Sequence, residues 1–157
     1  MIKIGHGYDS HRYEDGKYIM IGGVKISSKR AIVAHSDGDI LIHALCDALL
    51  GAAGRGDMGS YYDSSDKYKN IDSTIFLREI MQIVYSDGYS IINIDATIIA
   101  EEPAITKHAI KIKKSLAEIL KIDEEQLNIK SKSNDKLGYV GRKEGIEAHV
   151  ILLIDKI

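Results

Sequence analysis

A chain of 157 residues falls within the usual size of one domain, about 100–200 residues, and predicts a single domain over 1–157 with its own buried core. Lysine and arginine number 21 against 23 aspartates and glutamates, a formal charge of −2, so the basic surplus that marks a nucleic-acid partner is missing. Hydrophobic residues make up 45% of the chain, yet no apolar run approaches the ~20 residues that cross a bilayer, so a soluble protein without a membrane partner is expected.

The start Met1-Ile2-Lys3-Ile4 runs straight into a strand pattern, and the lone Cys46 has no partner for a disulfide, which together predict a cytoplasmic protein. Residues 2–8 and 18–26 read as short strands, with Gly22-Gly23 marking a bulge or sharp bend. Behind Ser36-Asp37-Gly38-Asp39, the residues Ile40, Leu41, Ala44, Leu45, Ala48 and Leu49 recur every three or four positions. That spacing predicts an amphipathic helix, capped by Ser36 or Asp37 and ended by Gly51 or Gly54.

Residues 55–71 are polar and without period, a loop long enough to predict a functional role. A second helix, capped by Asp72 or Ser73, turns Ile75, Leu77, Ile80, Met81 and Val84 inward until Gly88 stops it. Ile92, Ile94, Ala96 and Ile98 then alternate with polar residues as a strand, to whose second face Ile91 and Ile99 add. After Pro103, a third helix carries Ile105, Ala109, Ile110, Ile112, Leu116 and Ile119 inward and a lysine-rich face outward. Strands at 127–132 and 146–154 complete the set. Alternating strands and helices predict an α/β (α+β) two-layer sandwich, a mixed sheet with helices packed on one face.

Three histidines stand near carboxylates. Asp9 and His11 are two apart on a strand and therefore point the same way, so a carboxylate oxygen and an imidazole can meet one metal; alone, such a pair is as readily a hydrogen-bonded turn. His43 lies on the first helix with Asp39 and Asp47 each four residues away on its face, where a carboxylate can orient a ligating imidazole. Two nitrogens and one carboxylate would leave a fourth zinc position open, whereas the plain alternative is a histidine bordering the core. His35-Ser36-Asp37-Gly38-Asp39 precedes that helix, where free N–H groups favour a phosphate and His35 would donate to the anion. Asp135, in the polar stretch Lys130-Ser131-Lys132-Ser133-Asn134-Asp135, would offer an oxygen to a hard cation.

Taken together, Gly5-His6-Gly7-Tyr8-Asp9-x-His11, Ala34-His35-Ser36-Asp37-Gly38-Asp39 with His43-Ala44, Asp47-Ala48-Leu49-Leu50-Gly51-Ala52-Ala53, Gly56-Asp57-Met58-Gly59, Lys136-Leu137-Gly138-Tyr139 and Gly141-Arg142-x-Glu144-Gly145-Ile146 resemble the 2-C-methyl-D-erythritol 2,4-cyclodiphosphate synthase family over essentially the whole chain. The resemblance implies a homotrimer with active sites at subunit interfaces, zinc on Asp9, His11 and His43, and magnesium or manganese shared between Asp135 and a substrate diphosphate. It implies that 4-diphosphocytidyl-2-C-methyl-D-erythritol 2-phosphate cyclises with release of CMP. His35 and Ser133 match positions that stabilise the transition state.

Ser36, Asp57, Met58, Gly59 and Asp63 match the residues around the methylerythritol phosphate, with Asp9 and His11 beside them. The cytidine is expected against Ala100 to Thr106 of a neighbouring subunit, including Pro103, with Lys132, Ser133 and Asn134 near its phosphates and Tyr139 and Arg142 on the axial and substrate side. Ala104, Lys132-Ser133 and Asp135 depart from the lysine, paired threonines and glutamate common in the family, and the loop 61–66 lacks the familiar Phe-Pro pair. A zinc phosphoesterase releasing a linear product, and a non-catalytic trimer binding nucleotides or isoprenoid diphosphates, are the alternatives.

Overall fold

The computed structural model describes residues 1–157. Strand β1 (Lys3–Asp15) alternates in burial, its odd-numbered residues facing inward, and is far longer than the predicted 2–8. It pairs antiparallel with β7 (Gly145–Lys156) along ten residues and with β4 (Arg30–Val33), a strand the sequence pattern did not announce. β5 (Tyr89–Ile99) runs antiparallel to β7 and parallel to β6 (Leu127–Lys132). The order β4-β1-β7-β5-β6 is thus a mixed sheet, as expected. β2 (Tyr18–Ile21) and β3 (Val24–Ser27) form a separate hairpin, turned by Gly22 and Gly23 with φ of 59° and 78°; two successive positive φ angles are what a tight two-residue hairpin requires.

Three helices cover one face of the sheet. α1 (Ile40–Ala53) buries ten of its residues, including Leu41, Leu45 and Leu49, each contributing on the order of 1.5–3 kcal/mol by leaving water. Its cap is Asp39, not Ser36 or Asp37, and it runs through Gly51 to end at Gly54. The Asp39 carboxylate accepts N–H bonds from Ile42 at 3.1 Å, Gly22 at 2.8 Å and Gly23 at 2.7 Å. One fully buried side chain therefore closes the helix end and fastens the hairpin to it.

α1 also lies unusually close to β1. A Cβ on Gly5 would fall 1.9 Å from the Ala48 carbonyl oxygen, and one on Gly7 would fall 1.7 Å from that of Ala44. Only bare backbone at these two inward positions admits the helix so near.

The remaining elements correct several phases. α2 (Ser73–Ser86) is capped by Asp72 and buries Phe76 where Ile75 was expected; Ile75 is exposed. In β5 a bulge between Ile91 and Asn93 pushes Ile92 outward while Ile91, Ile94, Ala96 and Ile98 face the core. Residues 105–108 form a tighter 3₁₀ turn before α3 (Ala109–Leu120). A period of three rather than 3.6 shifts the helical phase, and Ile110 emerges 82% exposed. The loop 55–71 contains 3₁₀ turns at Met58–Ser60 and Asp66–Tyr68, and a short helix α4 (Gly138–Gly141) precedes β7.

Candidate active site

Close packing of α1 on β1 brings the predicted ligands together. Asp9 and His11 project from the inward face of β1, and His43 sits on α1 beside Ala44, whose carbonyl rests against Gly7. Asp9 Oδ2 lies 2.9 Å from His11 Nε2 and 3.2 Å from His43 Nδ1, and the two nitrogens are 3.3 Å apart. These three atoms form a group able to hold a metal ion. Burial alone would raise the Asp9 carboxyl, but hydrogen bonds and charge from His11 and His43 outweigh it and hold its pKa at about 2. The donor set is therefore one firm carboxylate and two imidazoles, which suits zinc.

The carboxylates expected to orient His43 do other work. Asp39 is spent on backbone amides, as above, and Asp47 accepts the Met58 N–H at 2.8 Å, fixing the start of the loop against α1. His43 is oriented instead by Ser73, its Nε2–H donating to Ser73 Oγ at 2.9 Å, with Ser36 Oγ 3.2 Å away. The Ser73 hydroxyl in turn donates to Asp37 Oδ1, and its backbone N–H to Asp37 Oδ2 at 3.0 Å. This relay leaves Nδ1 of His43 bare toward Asp9. Burial works against charge on His43, but Asp9, Asp39 and Asp37 shift its pKa above 6.5. Sequence reasoning missed Ser73 because a serine at a helix start already has an explanation as a cap.

Removing the Ser73 hydroxyl tests the relay. A group that orients a metal-binding imidazole is typically worth ten- to a hundredfold in affinity. Ser73→Ala is expected to weaken zinc binding by about that factor in competition with a chelator, and an unchanged affinity would dismiss the role.

A cleft of ≈ 260 Å³ opens over the triad and is lined by Asp9, His11, His35, Ser36, His43, Met58 and Asp63 among the expected residues. His35 is not at the helix end, which Asp39 fills; its Nε2–H donates to the Ser65 carbonyl at 2.7 Å and ties it to the 61–66 loop. Tyr62, Tyr68 and Phe76 build an aromatic wall, the Tyr62 ring 4.2 Å from Phe76 and its hydroxyl donating to Glu79 at 2.7 Å. The pattern had offered no sign of it. Asp57 closes its 3₁₀ turn by accepting from Ser60 N and Oγ, with Gly59 inside that turn.

The other expected residues gather elsewhere in the chain. Ala100 N–H donates to the Lys132 carbonyl at 2.9 Å, joining the ends of β5 and β6, and Glu101 accepts the N–H groups of Asn134 and Lys136. Ser133, Asn134 and Asp135 follow the end of β6, where Lys132 pairs with Ile99 at the end of β5, and Pro103 and Thr106 follow β5 in the chain. The Tyr139 hydroxyl donates to Glu147, and Arg142 pairs with Glu144 at 3.0 Å beside Arg12 and Arg30. None of these residues lines the cleft over the triad.

The YgbB family model matches residues 2–155. The chain belongs to the YgbB family. It is 50% identical over 154 residues to the 2-C-methyl-D-erythritol 2,4-cyclodiphosphate synthase of Francisella tularensis subsp. tularensis (strain WY96-3418), covering 97% of each chain. To the protein of the same name from Azotobacter vinelandii it is 44% identical over 154 residues, 98% of each. Among solved structures, the IspF–CDP complex of Plasmodium falciparum superposes with a TM-score of 0.88 at 37% identity, covering 99% of this chain and 96% of that one. The bifunctional IspDF of Campylobacter jejuni gives a TM-score of 0.96 at 35% identity; this YgbB-family chain, matched throughout, spans 43% of it. No helix is long and apolar enough to cross a membrane.

Proposed function

We infer that the chain, acting as one domain, catalyses the cyclisation of 4-diphosphocytidyl-2-C-methyl-D-erythritol 2-phosphate to 2-C-methyl-D-erythritol 2,4-cyclodiphosphate with release of CMP, a phosphorus–oxygen lyase step toward isoprenoid precursors. The Asp9–His11–His43 triad at the base of a cleft carries this reading, together with relatives of that name over nearly the full chain. The 2-phosphate oxygen of the substrate attacks the β-phosphorus in line and CMP departs, so no side chain serves as nucleophile. Asp9, His11 and His43 hold a divalent metal, zinc by their donor types, and Asp135 an oxygen-loving magnesium or manganese ion. Such ions supply Lewis-acid neutralisation of phosphate oxygens.

This chain's own residues position and donate. His35 and Ser133 hold donors toward the charge that develops on the phosphates. Ser36, Asp57, Met58, Gly59 and Asp63 hold the methylerythritol phosphate over the triad. The segment from Ala100 through Pro103 to Thr106, with Lys132, Asn134, Tyr139 and Arg142, receives the cytidine diphosphate. The two groups of residues line no common cleft within one chain, which fits a site completed between copies in the homotrimer that the family resemblance implies. A buried free thiol at Cys46 fits a cytoplasmic location.

Phosphorus NMR of the purified chain with substrate, zinc and magnesium tests the reaction. A cyclic diphosphate with equimolar CMP is expected; a linear product would instead indicate hydrolysis, and unchanged substrate a binding protein. Sharing of the site is tested by mixing. Inactive His43→Ala and Ser133→Ala chains, dissociated and reassembled together, are expected to regain part of the turnover, whereas no recovery would place each site within one chain.

A further inference from the structure

The sheet face turned away from the helices carries a second imidazole pair, remote in role from the cleft. Even-numbered residues of β1 and odd-numbered residues of β7 point there, placing His6, Tyr8, Glu147 and His149 together. The antiparallel ladder sets Tyr8 opposite His149 and His6 opposite Ile151, so the two histidines are diagonal neighbours. Nε2 of His6 lies 3.4 Å from Nδ1 of His149.

That separation is at the long end of hydrogen-bond distances, N–H donors usually standing about 2.7–3.2 Å from an oxygen acceptor. It matches the edge of a tetrahedral metal site: with metal–nitrogen bonds of about 2.0–2.1 Å, two ligand nitrogens stand about 3.3–3.4 Å apart. The chain supplies its own standard, since His11 and His43 at the metal triad are 3.3 Å apart. We propose that His6 and His149 form a second site, for a divalent transition-metal ion of the zinc or copper type, outside the catalytic cleft.

The surroundings are built for ligation. Glu147 Oε1 lies 3.8 Å from Nε2 of His149, on the side away from His6, beyond hydrogen-bond reach but close enough for its charge to favour a proton on Nε2 and leave Nδ1 free to bind a metal. Glu147 is itself held, its Oε2 accepting from the hydroxyls of Tyr8 at 3.2 Å and Tyr139. The Tyr8 ring packs 4.8 Å from that of His149 and limits its rotation. Imidazole pairs select zinc, copper and nickel over magnesium or calcium, which demand oxygen. Two imidazole nitrogens are one ligand fewer than the triad supplies, so this site binds more weakly than the triad.

Zinc titration of the metal-stripped full chain against a chromophoric chelator reads both sites. Two equivalents per chain are expected, the weaker one lost in His6→Gln and in His149→Asn while the tighter one persists and reports an intact fold. Glu147→Gln should weaken the second equivalent about tenfold. Added to zinc-loaded protein, copper should give an electron paramagnetic resonance spectrum with coupling to two imidazole nitrogens. A single equivalent in the unaltered chain, a second equivalent surviving in both histidine variants, or loss of both equivalents in either variant would each overturn the proposal. Because copper coupling is read without substrate, failure of the cyclase reaction would leave this test standing.

Discussion

Replacing His43 with alanine is expected to remove zinc from the protein and reduce turnover by on the order of a thousandfold or more, because a metal ligand and its charge stabilisation disappear together. His43 is the hub of the site: Nδ1 faces Asp9 at 3.2 Å, and Nε2 is held by Ser73 at 2.9 Å. Without it, Asp9 and His11 offer only two ligand atoms from one strand. The fold should survive, since α1 is anchored by Leu41, Leu45 and Leu49 on its buried side and capped independently by Asp39. Metal content by atomic absorption, far-ultraviolet circular dichroism and the NMR turnover assay decide the matter. A folded variant that keeps zinc and full activity would remove His43 from the site, and an unfolded one would make it structural.

Much of this site was legible because local periods place side chains. A strand's two-residue repeat put Asp9 and His11 on one face, and the helical repeat put His43 on the same helix as Ala44 and Ala48. What brings the three together is a contact between β1 and α1 that no local period contains, although the small residues Gly5 and Gly7 are its sequence trace. Ser73 was hidden for a different reason: its partners His43 and Asp37 lie 30 and 36 positions away, and its position beside a helix cap gave it a sufficient local role. The misplaced apolar residues share one cause. Ile75, Ile92 and Ile110 each adjoin a point where the repeat starts, bulges or tightens, so counting through that point assigns the wrong face. The second half of the proposed site rests mainly on the family resemblance, because no local period ties its residues to the triad and within one chain they line no common cleft with it.

Gly7→Ala carries the largest expected effect on stability. The added Cβ would stand 1.7 Å from the Ala44 carbonyl oxygen and 2.7 Å from the carbonyl carbon, both of them backbone atoms of a helix that cannot rotate aside. Relief requires α1 to move off the sheet by more than 1 Å, opening space along a core that includes Ala44, Ala48, Ala148 and Val150. Overpacking ordinarily costs about 1–3 kcal/mol; a clash of helix backbone with sheet backbone should exceed that and reach roughly 4 kcal/mol, a large fraction of the 5–15 kcal/mol that holds a typical domain. Displacement of α1 would also carry His43 away from Asp9, so any folded Gly7→Ala protein should bind zinc weakly while His43→Ala keeps its thermal stability. Denaturant melts of the two metal-stripped variants separate these effects. Near-wild-type stability with tight zinc binding in Gly7→Ala would mean that the close approach of α1 to β1 does not position the triad.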